Sequence, residues 1–353
     1  MIILGIDDGN YSCKAFGRVS NENRECIVPS LVRKGVVTSR SMLDDMNVGA
    51  DVTNTTRTFD VEGQMYSTGD VKSDSKRASD RGYCYSEENL VVVNNALHHL
   101  GLAGNDVTLM SGMPFQYYYK PDGAVNKAFV DKKKATFKKS VSCNDESVNV
   151  VKHAVMAQGE AAYYDLLIDI QSERTSQGLI SKGVTNKDIL ASNVLIWDIG
   201  GGTTDPVFIK PNGFVDHERS GTFEHGGYKI ISELEDLIKL ELSLSTELGR
   251  ERYQDALLTG HLRLNAKRVI DVTQIVEPLI QRHFDIIYEK TKALVNGFDD
   301  IDIVCPIGGT SIFFNSIIEK TLVNNDVRFR DNPIQANASG MFKRMFLATA
   351  SKK

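Results

Sequence analysis

The chain has 353 residues and a formal net charge of −5, with 41% hydrophobic and 25% charged residues, 28 Gly and 8 Pro. At roughly 150 residues per domain this length predicts two domains, and the composition excludes collagen-like, mucin-like and disordered acidic chains. The acidic balance supplies no global field towards nucleic acid or anionic lipid.

Five cysteines (Cys13, Cys26, Cys84, Cys143, Cys305) are odd in number, scattered and without a C-x-x-C pair. That argues against a disulfide framework or a structural zinc site and for a reducing, cytoplasmic setting. Met1–Asp8 has no basic n-region, so neither a signal peptide nor a membrane anchor is expected there. No window reaches the roughly 18 apolar residues of a spanning helix.

In chain order, Ile2–Ile6 is a short apolar run entering Asp-Asp-Gly-Asn, which predicts a buried strand and a tight turn, with Tyr11–Val19 returning as a hairpin. Residues 40–88 are polar and predict an insertion of loops and short strands, Thr58–Val61 among them. Asn89–Leu100 has helical spacing closed by Gly101. Asp106–Gly112 and Val148–Ala154 predict strands, and Gly159–Ser172 a long amphipathic helix. Lys127–Lys139 is lysine-rich, and its Lys132–Lys139 run predicts a solvated helix face, with DNA, an adaptor protein or a neighbouring subunit as the other readings. Residues 173–193 read as a polar, loop-like boundary.

Beyond it, Val194–Ile199 is the strongest strand signal, and Pro206–Lys210 returns beside it. Helices are predicted at Tyr228–Leu244, Ala256–Leu262 and Val272–Val295. Asp300–Cys305 predicts a last buried strand and Ala336–Thr349 a last helix. Strands alternating with helices place the chain in the α/β class.

Three times a buried strand delivers an acidic or glycine-rich turn. The turns are Asp7-Asp8-Gly9-Asn10, Asp198-Ile-Gly200-Gly201-Gly202-Thr203-Thr204-Asp205, and Ile307-Gly308-Gly309-Thr310. Glycines let backbone N–H groups approach an anion. Ser12, Thr203 and Thr204 would add hydroxyl donors and Lys14 a positive charge. Carboxylates repel phosphate, so Asp7 and Asp198 make sense facing a divalent cation, most simply through water, as Mg²⁺ prefers. Together these features predict a Mg-nucleotide site. The P-loop and the dinucleotide fingerprint after the first strand are both absent, as are the protein-kinase motifs.

The three turns resemble those of the actin-like ATPase superfamily. Asp7–Lys14 is similar to its first phosphate loop, Asp198–Asp205 to the second, and Ile307–Thr310 to the adenosine loop. Within the superfamily the resemblance is nearest to the ParM/StbA plasmid-segregation actins. It is carried by Ile6-Asp7-Asp8-Gly9, VVNNALHHLGL, Met113-Pro114-Phe-Gln-Tyr117-Tyr118 and KKKATFKK. The insertion at 40–88 and the polar stretch 173–193 are longer than that resemblance leads one to expect.

The resemblance implies an actin-like (ribonuclease-H-like) two-domain fold with a nucleotide cleft between the domains. Domain I would comprise residues 1–190, closed by the C-terminal helix 335–353, and domain II residues 194–334. It implies ATP-driven filament assembly, with GTP left open as the nucleotide, and hydrolysis that destabilises the filament. It also implies a homopolymer that moves plasmid DNA through a small DNA-binding adaptor at the plasmid centromere, without membrane or sequence-specific DNA contact of its own. The family's water-orienting position falls in Val155–Glu160, where the resemblance selects Gln158. Glu160, two residues on, lies about 200° around a helix and is assigned to the surface. Asp198 would be the carboxylate nearest that water and Asp7 would face the hydrated metal. Nucleotide contacts would come from Asp8, Gly9, Asn10, Ser12, Lys14, Gly200–Gly202, Thr203, Thr204, Asp205, Gly226, Gly308, Gly309 and Thr310.

Two other readings stay open at this stage. A sugar-type small-molecule kinase would need an Asp base towards a substrate hydroxyl, and Asp205 is the obvious candidate. A membrane-associated bacterial actin would use the basic and apolar MFKRMFLATASKK segment as an amphipathic helix, against a core-helix reading of the same residues. A chaperone-like nucleotide switch ranks last, since no room is expected for a peptide-binding domain. Adjacent His98 and His99 diverge by about 100° on a helix and suit structure better than metal binding.

Overall fold

The N-terminal apolar run folds as β1 (Ile2–Asp8), buried along almost its whole length. This is a computed structural model, and it describes residues 2–19, 22–37, 56–69, 71, 82–175, 178–243 and 247–350. The chain divides into two units, Met1–Asn186 with Gln335–Lys353, and Lys187–Ile334.

In the first unit β1 pairs antiparallel with β2 (Ser12–Val19), which pairs with β3 (Glu22–Pro29). A second sheet takes β4 (Val32–Lys34), β5 (Arg57–Val61) and β6 (Gln64–Thr68). Helix α1 (Glu87–His99) follows. Ser86 caps it by accepting from the Asn89 N–H, with Glu87 and Glu88 in the first turn. Leu90, Val91, Val93 and Leu97 of α1 join the core beneath the first sheet. Next come β7 (Asp106–Met113), the one-turn α2 (Phe115–Tyr118), α3 (Lys127–Thr136), β8 (Val141–Ser142) and β9 (Asn149–Ala157).

The main sheet runs β3-β2-β1-β7-β9, with β7 and β9 parallel to β1. The small sheet runs β4-β6-β5-β8. The predicted 40–88 insertion thus contains strands, and its residues 40–55, 70 and 72–81 lie outside the described ones.

Two predictions fail between Gly159 and Asn193. The helix α4 stops at Glu160–Leu167, and β10 (Ile168–Thr175) pairs with β11 (Gly178–Thr185) where one long helix and a loop were predicted. Ile168 and Ile170 alternate at the strand period, and cross-strand pairing overrides the helical reading.

The second unit starts with α5 (Lys187–Ala191), β12 (Val194–Ile199), β13 (Thr204–Lys210) and β14 (Phe214–Val215). Helices α6 (Gly227–Leu242) and α7 (Arg250–Thr259) precede the hairpin β15 (His261–Asn265)–β16 (Arg268–Asp271). The predicted helix 256–262 is corrected here. Gly260 ends α7 with φ +71°, and Leu262 belongs to β15. Then follow α8 (Thr273–Val295), β17 (Ile303–Ile307), α9 (Asn315–Thr321) and β18 (Asp326–Val327). The β17 strand starts later than predicted, at Ile303, which pairs with Val194, the first residue of β12; the preceding Asp302 carboxylate accepts from the Asn193 N–H at 2.7 Å.

The second sheet runs β14-β13-β12-β17-β18, with β12 and β17 parallel. This repeats the strand pattern of the first unit: a hairpin whose first strand takes a parallel neighbour. Trp197 of β12 is fully buried against Phe284 and Phe298. The last helix, α10 (Ala336–Ala350), returns to the first unit. There Met341, Phe342 and Met345 are buried with Ile3 and Met110, so the core-helix reading of this segment holds.

His153 on β9 makes the first unit acid-sensitive. Its ring stacks on Phe137 at 4.1 Å, and burial together with the Lys133 and Lys134 charges pushes its pKa down to about 3. The unfolded ring takes a proton near pH 6.5 and the folded ring does not, so stability is full above that value and falls as pH drops from about 6.5 towards 3. The slope from this one group is about 1 kcal/mol per pH unit. In urea titrations from pH 7 to 4, His153→Phe is therefore expected to flatten the acid loss relative to the parent chain.

Candidate functional site

The first turn, Gly9-Asn10-Tyr11, joins β1 to β2. Its carbonyls are captured from inside the protein: Asn89 Nδ2 donates to Asp8 O at 3.3 Å, Ser30 Oγ to Gly9 O at 2.6 Å, and Ser30 N–H to Tyr11 O at 3.0 Å. In a planar trans peptide the N–H of the next residue points the opposite way. The amides of Gly9 and Asn10 are thereby turned away from the core, as an anion-binding concavity requires. Asp7 and Lys14 are cross-strand partners, and their side chains meet at 3.2 Å. Gln158, just after β9, donates from Nε2 to Asp7 Oδ1 at 2.6 Å. Asp7, Lys14 and Gln158 thus converge within the first unit.

Gln158 is held from two sides. Its N–H donates to Met113 O at 2.9 Å, and the following Gly159 N–H donates to Asn337 Oδ1 of α10 at 2.9 Å. Glu160 is not the surface residue expected. Burial pushes its carboxyl up, Tyr119 shares a hydrogen bond with it, and Oε1 is enclosed without a partner.

Lys133, placed by sequence on a solvated face, is fully buried. Its ammonium donates to Asp8 Oδ2 at 2.5 Å and to the Gly112 carbonyl. Burial raises the Asp8 carboxyl and Lys133 opposes that rise. Asp8 therefore points inward to an ion pair, where a nucleotide contact was expected, and Ser12 is buried at the start of β2. The consecutive lysines Lys132, Lys133 and Lys134 of KKKATFKK are indistinguishable by type. Only the buried Val130 and Phe137 beside Lys133 mark the inward stripe of α3.

In the second unit the β12–β13 turn is built the same way. Gly200 O accepts from the Gly227 N–H at 3.1 Å and from Thr310 Oγ1 at 2.8 Å, and Gly201 O accepts from the Tyr228 N–H at 2.7 Å. The N–H groups of Gly201 and Gly202 are accordingly turned away from those contacts. The turn thus brings together Asp198, Gly200–Gly202, Gly226, Gly308 and Thr310, with Gly309 next in line beside Ile334. A Cβ on Gly226 would lie 2.5 Å from Gly200 O and 2.8 Å from Gly201 O, and at Gly308 (φ +86°) one would lie 2.5 Å from Ile199 O. Only glycine allows these approaches.

Thr203 and Asp205 pair with each other, Thr203 Oγ1 donating to Asp205 Oδ2 at 2.7 Å, while Thr222 donates to Oδ1. Thr204 is buried and gives its hydroxyl to His225 O, so like Asp8 it faces inward. Asp198 pairs across the strands with Asp205 as Asp7 does with Lys14, each one residue before the end of its strand. Among the described residues no group of three or more His, Cys, Asp or Glu is arranged to hold a metal ion.

Residues 3–167 match the family described as plasmid segregation protein ParM, N-terminal. The fold is actin-like, and residues 3–167 are similar to the ParM N-terminal family. Among solved structures, the archaeal actin homolog Ta0583 superposes with a TM-score of 0.72 at 18% identity, covering 100% of both chains. The same homolog in complex with ADP gives 0.71, also at 18% identity and over 100% of both chains. A 15-stranded ParM filament from Clostridium botulinum gives 0.70 at 18% identity over 98% of this chain and 99% of that one. Comparison with curated proteins gives no match. No helix among the described residues is long and apolar enough to cross a membrane.

In this actin-like frame the two signals sequence reasoning missed are Lys133 and Asn89. Both act on the first turn from helices that pack beneath it.

Proposed function

We propose that the chain is a nucleoside triphosphatase that polymerises with ATP, hydrolyses it to drive filament dynamics, and segregates plasmid DNA through a small DNA-binding adaptor at a plasmid centromere. The observation that carries this reading is the repeated turn, in which captured carbonyls turn glycine amides outward at the same strand position of both units. The ParM-type N-terminal region and the likeness to a solved ParM filament support polymerisation. The ADP complex of an archaeal homolog supports a nucleotide ligand.

In this reading the amides of Gly9, Asn10, Gly201 and Gly202, with Lys14, bind phosphate, and the Gly308–Thr310 turn contacts the nucleoside, with GTP as the other nucleotide to test. Gln158 orients the attacking water, and its contact with Asp7 fixes the amide in one orientation. The donor set suits Mg²⁺, which takes one or two carboxylates plus phosphates and keeps waters. Asp7 and Asp198 would hold it, through water, and the cation would neutralise phosphate charge. The kinase alternative loses support because both Asp205 oxygens already accept threonine hydroxyls, which occupies the proposed base. The cytoplasmic setting and the lack of direct membrane or sequence-specific DNA contact belong to the same proposal.

The test follows light scattering and released phosphate in one sample of pure protein with Mg-ATP, Mg-GTP or EDTA. A scattering rise that needs both Mg²⁺ and nucleotide, and decays as phosphate appears, is expected. Phosphate release with flat scattering at every concentration would refute the filament reading.

A further inference from the structure

Away from the phosphate turns, the first unit has a cavity of about 510 Å³ between α1, the segment after α3, and β9. Four lysines line it, Lys134, Lys138, Lys139 and Lys152, and no Asp or Glu does. In a chain of net charge −5 this concentration of one sign is not a reflection of composition. Lys139 is paired with Glu87 at 2.7 Å and Glu62 at 3.2 Å. Lys134, Lys138 and Lys152 are exposed and form no ion pair among the described residues. Like charges gathered at one opening repel each other, and a bound anion relieves that repulsion.

The rest of the lining mixes uncharged polar residues, Asn94, Ser140, Ser147 and Asn149, with apolar ones. Leu90, Phe137, Val148 and Val150 supply an apolar wall. His153 lies beside Phe137, with its Nε2 on Ser111 Oγ at 2.8 Å and its Nδ1 enclosed without a hydrogen-bond partner. A cavity in the size range of ligand sites, lined by both apolar and cationic side chains, fits a ligand that carries an apolar group and an anionic one.

We propose that this cavity binds a small aromatic phosphate ester, its phosphate on Lys134, Lys138 and Lys152 and its ring against the apolar wall. Lysine serves such a phosphate as a mobile point charge. The site is separate from the phosphate turns and does not depend on the proposed function.

The probe is 1-naphthyl phosphate, titrated into the full chain and followed by its fluorescence and by the His153 ring signals in NMR. Saturable binding with movement of the His153 signals is expected. The charge-reversed Lys134→Glu/Lys152→Glu chain is expected to bind at least about tenfold more weakly, with an unchanged melting temperature. Lys134→Arg/Lys152→Arg keeps the charge and should keep binding, and uncharged 1-naphthol should bind at least about tenfold more weakly than the ester. Lys14→Ala, in the first phosphate turn, should leave binding unchanged. The proposal is overturned by any of three results: no saturable binding, equal binding in the charge-reversed chain, or loss with Lys14→Ala alone.

Discussion

Lys133→Met is expected to destabilise the first unit by about 3–5 kcal/mol in urea denaturation, because it strands the buried Asp8 carboxylate without its cation. Lys133 is fully buried, and Asp8 Oδ1 has no partner in its enclosure, so nothing nearby replaces the lost charge. The companion chain Asp8→Asn/Lys133→Met removes both charges and should recover most of the loss. A double-mutant cycle then isolates the coupling.

The penalty should also depend on pH, with a definite sign. Burial already raises the Asp8 carboxyl, and without Lys133 it rises further. The folded state of Lys133→Met then holds a proton that the unfolded state releases above about pH 3.9. The penalty is therefore small near pH 4 and grows as pH climbs towards the new folded value. A loss below about 1 kcal/mol at pH 7, the size of an exposed pair, would show that the ion pair is solvated.

This ion pair also marks the boundary of what the sequence discloses. Strand-then-turn motifs were readable because a buried run such as Val194–Ile199 and the glycines after it are local signals, and so were α1, α8 and α10. What failed depended on partners distant in the chain. Ile168–Thr175 is a strand only because Gly178–Thr185 lies beside it. The same holds for His261–Asn265 with Arg268–Asp271.

At the site, type and spacing singled out Asp7, Lys14 and Gln158, and the fold brings these side chains together. Orientation was not readable. Asp7 and Asp8 are adjacent acids on one strand, and alternation sends one to Lys14 and Gln158 and the other to Lys133. Nothing in the run KKKATFKK says which lysine answers from the other side. Glu160 shows the same limit, since its enclosure depends on Tyr119, forty-one residues away.

Gln158→Ala is expected to slow phosphate release by about 100-fold, or about 2.7 kcal/mol in the barrier. Positioning supplies most of the catalysis in phosphoryl transfer, and Gln158 is the uncharged group the fold fixes against Asp7. Its backbone contacts to Met113 do not involve the side chain, so truncation removes the amide without releasing β9. Nucleotide affinity should change little, because in the proposed site the phosphate donors are turn amides and Lys14. The effect should therefore fall on turnover and leave KM nearly unchanged. Glu160→Gln is the control. It keeps shape and the Tyr119 neighbourhood while removing the charge, and release should stay within about twofold of the parent rate. The reverse result, with release intact in Gln158→Ala and abolished in Glu160→Gln, would transfer the water to the enclosed carboxyl. Burial raises that carboxyl, and a more basic carboxylate accepts a proton from water more readily than one at its ordinary value.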